Sequence, residues 1–183
     1  MSRELFLRLK YENEAMRLLH ECGELHGPIT SPPVPFEHIA TSHLGLTYEV
    51  IDTKMLLGME LFGAVLPEER LVIIDKRCVG SPMYGFTFCH ELGHYYLHGT
   101  GAAGLHGRRI TCKSVAFREK VSRAERQANR FAAALLMPEY LLRPQAAKMN
   151  LDVLTNVGRL AWHFRASTQA MTYRLQELGL LGD

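Results

Sequence analysis

The chain lacks the features that would mark it as secreted, membrane-spanning or fibrous. Its four cysteines (Cys22, Cys78, Cys89 and Cys112) are scattered and form no C-x-x-C pair, which points to a reducing compartment rather than a disulfide scaffold. No apolar run approaches the length of a membrane span. The first apolar stretch is interrupted by Arg3, Glu4, Arg8 and Lys10, a pattern that no secretory signal tolerates. There is no internal repeat and no low-complexity tract, so solenoid and disordered architectures are excluded. The expected location is the cytoplasm.

What is present suits an ordinary globular unit. With 183 residues, 47% apolar and 22% charged, the chain can bury a sizeable core without disulfides. The net charge of +2 is unevenly spread. Between Leu105 and Arg130 eight basic residues (Arg108, Arg109, Lys113, Arg118, Lys120, Arg123, Arg126, Arg130) face only Glu119 and Glu125. A segment of that sign is either a solvated surface or a surface for an acidic partner or nucleic acid.

Hydrophobic spacing predicts an amphipathic helix from Ser2 to about Glu24, with Leu5, Leu9, Glu12, Met16 and Leu19 in near-helical register. Gly27-Pro28 and Pro32-Pro33 mark a turn, and a short helix over Phe36–His43 should stop at Gly45. Strand-like segments follow at Leu46–Ile51, Leu61–Leu66 and Leu71–Asp75, the last two forming a hairpin about Pro67-Glu68-Glu69. Beyond Ser81-Pro82 the pattern is helical to the end, apart from a Gly/Arg-rich loop at 99–114. Helices, a small antiparallel sheet, then helices predict an α+β fold.

The chemistry concentrates in His90-Glu91-Leu92-Gly93-His94, an H-E-x-x-H motif. Residues four apart on a helix lie about 40° apart around its axis, so both imidazoles project from one face and can bind one ion. Neutral imidazole suits zinc, and Glu91 is placed to act on the metal's water as general base. On a helical projection Phe88, Cys89, Leu92 and Tyr96 share one side, while His90, Glu91, His94 and His98 share the other. An ordinary core helix has no reason to gather three histidines and a carboxylate on one face.

A catalytic zinc centre needs a third protein ligand and an open position. The metzincin pattern is excluded, because Leu97 and Thr100 occupy the positions where it requires Gly and His. Glu125, in Glu125-Arg126-Gln127-Ala128-Asn129, is one option for the third ligand; Glu119, His98, His106 and Cys112 compete with it. Asn129, one turn after Glu125, could orient a ligating imidazole.

Two long motifs carry a family resemblance. Phe86-Thr87-Phe88-Cys89-His90-Glu91-Leu92-Gly93-His94, ending Leu97-His98, resembles the zinc helix of the ImmA/IrrE family of metallopeptidases. Glu125-Arg126-Gln127-Ala128-Asn129-Arg130-Phe131-Ala132, ending Leu135-Leu136-Met137-Pro138, resembles that family's second motif. Pro33-Val34-Pro35, Ile39-Ala40 and Leu44-Gly45-Leu46 fit its usual start, so the resemblance runs from about Val34 to Leu180. It implies Glu125 as third zinc ligand, a gluzincin-like fold and two metal-binding helices packed together. Gln127 stands where the family often has Glu, which favours Glu125 over residue 127. Cys89 replaces a usual small residue and is expected to be a buried apolar group, with a redox or metal-switch role as the alternative.

Together these readings predict a zinc-dependent endopeptidase in which Glu91 accepts a proton from water and returns it to the leaving amine. Tyr95, His98, His106 and Arg108 are options for stabilising the oxyanion. His98, about 6 Å along the axis from His94, better suits a supporting role. The resemblance implies a substrate class, helix-turn-helix repressors of the XRE type, whose cleavage relieves repression of stress-response or mobile-element genes. Two other readings compete: a zinc-containing regulatory protein without turnover, and a DNA-binding regulator supported by the basic segment.

The expected organisation is an N-terminal helix plus metallopeptidase core over 1–148, followed by a helix-turn-helix-like segment over 149–183. That segment comprises Leu151–Phe164, an Arg165-Ala166 turn and Ser167–Leu178, with Ser167 as N-cap and Gly179 as stop. Arg174 is the only cation of its second helix and Glu177 offsets it, while Met171, Leu175 and Leu178 recur at packing spacing. A packing element is therefore favoured over a DNA reader. With the peptidase unit counted, neither an added DNA-binding domain nor a sensory domain is expected within these 183 residues.

Overall fold

The computed structural model describes residues 3–58, 60–99, 110–113 and 123–182, with the backbone alone at 3–8 and 110–113. The first helix, α1 (Arg3–His26), is the long amphipathic segment expected. Its buried stripe is rotated from the expected one. Tyr11, Ala15, Leu18, Leu19 and Cys22 are buried, whereas Leu9 is exposed. The rotation follows from two partners: α1 packs along α5 (Arg123–Leu136), and Glu12 is drawn to a buried arginine, described below.

A short helix, α2 (Phe36–His38), runs into a π-helical turn over Ile39–His43. Gly45, at φ +62°, ends it and opens strand β1 (Thr47–Ile51). Asp52 then caps α3 (Thr53–Leu57), accepting from Met55 N–H at 2.9 Å, an element absent from the sequence expectation. Strands β2 (Leu61–Leu66) and β3 (Leu71–Asp75) form the expected antiparallel hairpin. Arg70, at the hairpin turn, donates to the carbonyls of Gly45 and Leu44 at 2.9 and 2.6 Å, fastening the hairpin to the entry of β1.

The sheet departs from the expectation in two ways. β1 pairs parallel with β3, so the sheet is mixed rather than antiparallel. The Gly/Arg-rich segment also contributes a strand, β4 (Ile110–Lys113), antiparallel to β2, giving the order β1-β3-β2-β4. Both outcomes depend on long-range pairing that local alternation does not encode. At the end of β3, buried Asp75 accepts from Thr53 Oγ1 (2.6 Å), Thr53 N (3.0 Å), Arg77 Nε (2.6 Å) and Arg77 N (2.9 Å). This carboxylate ties α3 to the sheet.

Helix α4 (Tyr84–His94) lies against β2 and β3 and crosses α5. It is buried on both sides rather than amphipathic, because the sheet covers one face and α5 the other. Gly93 makes that crossing close: a Cβ there would lie 3.1 Å from the Ala128 carbonyl oxygen and 3.1 Å from Phe131 Cδ1. After Pro138 come α6 (Glu139–Ala146), α7 (Leu154–His163) and α8 (Thr168–Glu177). Ser167 caps α8 as expected, accepting from Ala170 N–H at 3.1 Å.

Val157, Leu160, Ala161, Phe164, Met171 and Leu175 of the last two helices belong to the same buried cluster as Phe88, Leu92, Phe131 and Leu135. Arg174 is 2% exposed, donating to the Met137 carbonyl (3.1 Å) and pairing with Glu12 and with Glu177 (3.0 Å). The one cation of α8 is thus committed inside the protein. No helix among the described residues is long and apolar enough to cross a membrane.

Candidate metal centre

Helix α4 supplies the two histidines of the motif and α5 the acid. His90 and His94 are 2% and 0% exposed, and their Nε2 atoms converge to 3.0 Å. Glu125, in the first turn of α5, places one carboxylate oxygen 3.3 Å from His90 Nε2 and the other 3.2 Å from His94 Nε2. The close α4–α5 approach at Gly93 brings these donors together. Of the options for third ligand, Glu125 is the one that the described residues bring to both imidazoles. Glu119 and His106 lie outside the described residues, and Cys112 lies in β4, where only the backbone is described.

The residues fit a divalent cation. Ligand atoms about 2.0–2.1 Å from a common tetrahedral centre stand about 3.3 Å apart; the two imidazole nitrogens are 3.0 Å apart, and Glu125 sets one oxygen 3.3 Å from the first and its other oxygen 3.2 Å from the second. The three residues form a group that could hold a metal ion. The donor set of two imidazoles and one carboxylate is chemically that of a zinc hydrolase site. Burial pushes the His94 pKa down, against the hydrogen bond that His94 donates to Glu125, which favours the neutral imidazole that ligates. Burial would raise Glu125, but its hydrogen bonds with His90 and His94 outweigh that and hold it at about 2.

Glu91 is the unusual group. Its side chain is fully buried, and both carboxylate oxygens lack a hydrogen-bond partner among the described residues. Burial, reinforced by the charge of Glu125, pushes its pKa well above the ordinary range. An unpartnered charged carboxylate so placed costs several kcal/mol, which makes Glu91 a candidate for a chemical role rather than a structural one.

One neighbour was not legible from the sequence. Gly63, on β2, presents its Cα to Glu91: a Cβ there would stand 2.8 Å from Glu91 Oε1 and 3.0 Å from Thr87 Cγ2. The β2–β4 register shifts between Leu61 and Ala64, across this point. A glycine within a strand beside a bulge is the signal that could have found it.

The remaining expectations divide. His98 lies in a π-helical turn (Tyr95–Gly99) that continues α4, its ring 5.9 Å from that of His94 and its Nε2 buried without a side-chain hydrogen-bond partner among the described residues. It stands beside the three donors but outside their group. Asn129 is exposed and joins neither histidine, and His90 Nδ1 and His94 Nδ1 are both unpartnered among the described residues. The expected orienting bond is therefore absent there, because Asn129 lies on the outer side of α5. Tyr95 is buried in the core cluster. Cys89 is buried in the same cluster, its thiol pushed well up by burial, as an inert apolar group requires. Of the basic segment, Arg108, Arg109, Arg118 and Lys120 lie outside the described residues.

No curated protein shows a significant match to the chain. The family described as Peptidase_M78, the IrrE N-terminal-like domain, matches residues 46–176. That span holds the sheet, both helices of the metal group and nearly all of α8. Covering well over half of the 183 residues, the match identifies the chain as a member of the IrrE-like metallopeptidase family, enzymes whose substrates are proteins.

Proposed function

We propose that the protein is a cytoplasmic zinc endopeptidase of gluzincin-like arrangement, with His90, His94 and Glu125 as metal ligands and Glu91 as general base. The observation that carries this reading is a buried Glu91 carboxylate, unpartnered among the described residues, beside three donors spaced for one ion. Zinc bound there would supply Lewis acidity, polarising the scissile carbonyl and acidifying a water molecule. Glu91 takes the proton of the attacking water on a carboxylate oxygen and delivers it to the leaving amine. Its enclosure between α4 and β2 keeps bulk water from solvating the charge and supports a pKa suited to both steps.

β4 lies outermost in the sheet among the described strands, paired to β2 on either side of Gly63. An extended substrate segment can add to such an edge through backbone hydrogen bonds, which brings its peptide groups toward Glu91. The substrate we favour is a helix-turn-helix repressor of the XRE type, as the family resemblance implies, so that cleavage relieves transcriptional repression. Residues 149–183 act as a packing segment attached to the 1–148 core, since Arg174 is spent on Glu12, Glu177 and Met137.

The test is incubation of the zinc-loaded protein with an XRE-type helix-turn-helix repressor, reading new termini by mass spectrometry, with Glu91→Gln in parallel. Fragments from the native protein and none from the variant are expected. Equal cleavage by both would overturn the role of Glu91. No cleavage of the repressor, with cleavage of other unfolded polypeptides, would overturn the substrate alone.

A further inference from the structure

A second cluster of metal-ligating side chains lies at the other end of α1. Cys22 and His26 are one helical turn apart near the C-terminus of that helix. The chain then turns at Gly27, at φ +96°, and returns through α2 and its π-helical turn, bringing His43 back against them. The Cys22 Sγ and one ring nitrogen each from His26 and His43 all lie within 4.8 Å of one another.

Three details distinguish this from a chance meeting of side chains. Cys22 is 1% exposed, although nothing in the core requires a thiol. His43 Nδ1 is buried with no hydrogen-bond partner among the described residues, while its Nε2 stands 3.9 Å from Glu21 Oε2. A ligating imidazole whose far nitrogen faces a carboxylate is the usual way a metal site fixes ring orientation. His38 stands beside the group without belonging to it: its ring meets that of His26 edge-on at 5.0 Å, and its Nδ1 lies 3.0 Å from Ser42 Oγ.

We propose that Cys22, His26 and His43 form a second metal site that takes a zinc-class transition-metal ion, with a fourth position left for water. One thiolate and imidazoles select zinc, copper(I) or cobalt(II) over magnesium or calcium, which need oxygen donors. The donors lie within 4.8 Å of one another, and His26 is at the exposed end of its helix, where its side chain can adjust to an ion. Binding displaces the Cys22 thiol proton to solvent. Burial pushes that thiol up, so the metal-free cysteine stays protonated and unreactive. An ion here clasps α1 to the α2 segment, and α1 packs on the helix that carries Glu125.

The experiment uses the full chain, stripped of metal and titrated with cobalt(II) for spectroscopy and zinc for stoichiometry by native mass spectrometry. Two zinc ions per chain are expected, together with a near-ultraviolet thiolate-to-cobalt charge-transfer band. Cys22→Ser should abolish the band and leave one ion. His26→Ala, at an exposed position, should weaken binding at the band-forming site by about 100-fold. The His90→Ala/His94→Ala double variant should lose the other ion and keep the band. A single ion in the native chain without a thiolate band, a band surviving Cys22→Ser, or unchanged affinity in His26→Ala would each overturn the proposal.

Discussion

Two carboxylates in this protein are almost wholly shielded from solvent and partnered in opposite ways. Asp75, at the end of β3, is 1% exposed and accepts four hydrogen bonds from Thr53 and Arg77. Burial acting upward is overcome by those donors, chiefly the Arg77 guanidinium, and its pKa is held well below the usual carboxylate range. Glu91, on α4, is 0% exposed, has no partner among the described residues, and is pushed well up. Low exposure is therefore not what separates the two acids. Satisfaction of the acceptor oxygens is: a paired carboxylate stabilises the fold, whereas an unpaired one costs stability, which suits the general base we propose at Glu91.

The comparison can be broken most sharply at Glu91. Glu91→Gln should lower kcat by about 1,000-fold, the range for loss of a general base, while the Tm of the metal-free protein rises because no buried acid remains. Calorimetry beside a cleavage assay reads both, and a fall in Tm would make Glu91 structural. Asp75→Asn should do the reverse. It loses charge-assisted hydrogen bonds worth about 3 kcal/mol in total, read as a drop in denaturant midpoint, with kcat unchanged in the protein that remains folded.

Gly63→Ala probes the space around Glu91 rather than its charge. The added methyl must displace the carboxylate or β2, costing about 1–3 kcal/mol by overpacking, with about a tenfold loss of kcat by the arithmetic of a barrier raised by about 1.4 kcal/mol. Metal content by mass spectrometry should stay constant, since no donor is touched. The smallest effect is on acid stability. Because the folded pKa of Asp75 lies below its unfolded value of about 3.9, its contribution is present above about pH 4 and is lost as pH falls toward the folded value. Asp75→Asn should flatten that acid-side slope of stability, and an unaltered slope would assign it to other acids.

Several elements are legible in the sequence because their causes are local. The spacing of His90 and His94, the hairpin over Leu61–Asp75, the Ser167 cap and the stop at Gly45 each follow from helical period, strand alternation or one residue's backbone preference. What the sequence does not show depends on residues far apart in the chain. β1 joins the sheet parallel to β3, and β4 emerges from a segment whose composition suggests a loop. Asn129 shares a helix with Glu125, yet the crossing with α4 leaves it outside.

The sequence by itself therefore determined the family and the pairing of His90 and His94 as candidate donors, since residue type and i, i+4 spacing survive in any fold that keeps the helix. Only the tertiary structure decided where charge is tolerated. It paired Glu12 with Arg174 across 162 positions, satisfied Asp75 through Thr53 and Arg77, and placed Gly63 against a Glu91 that has no such partner among the described residues. The reason is physical. Helical spacing is a property of a few successive residues, whereas the cost of burying a charge depends on which distant donors the packed chain brings to it.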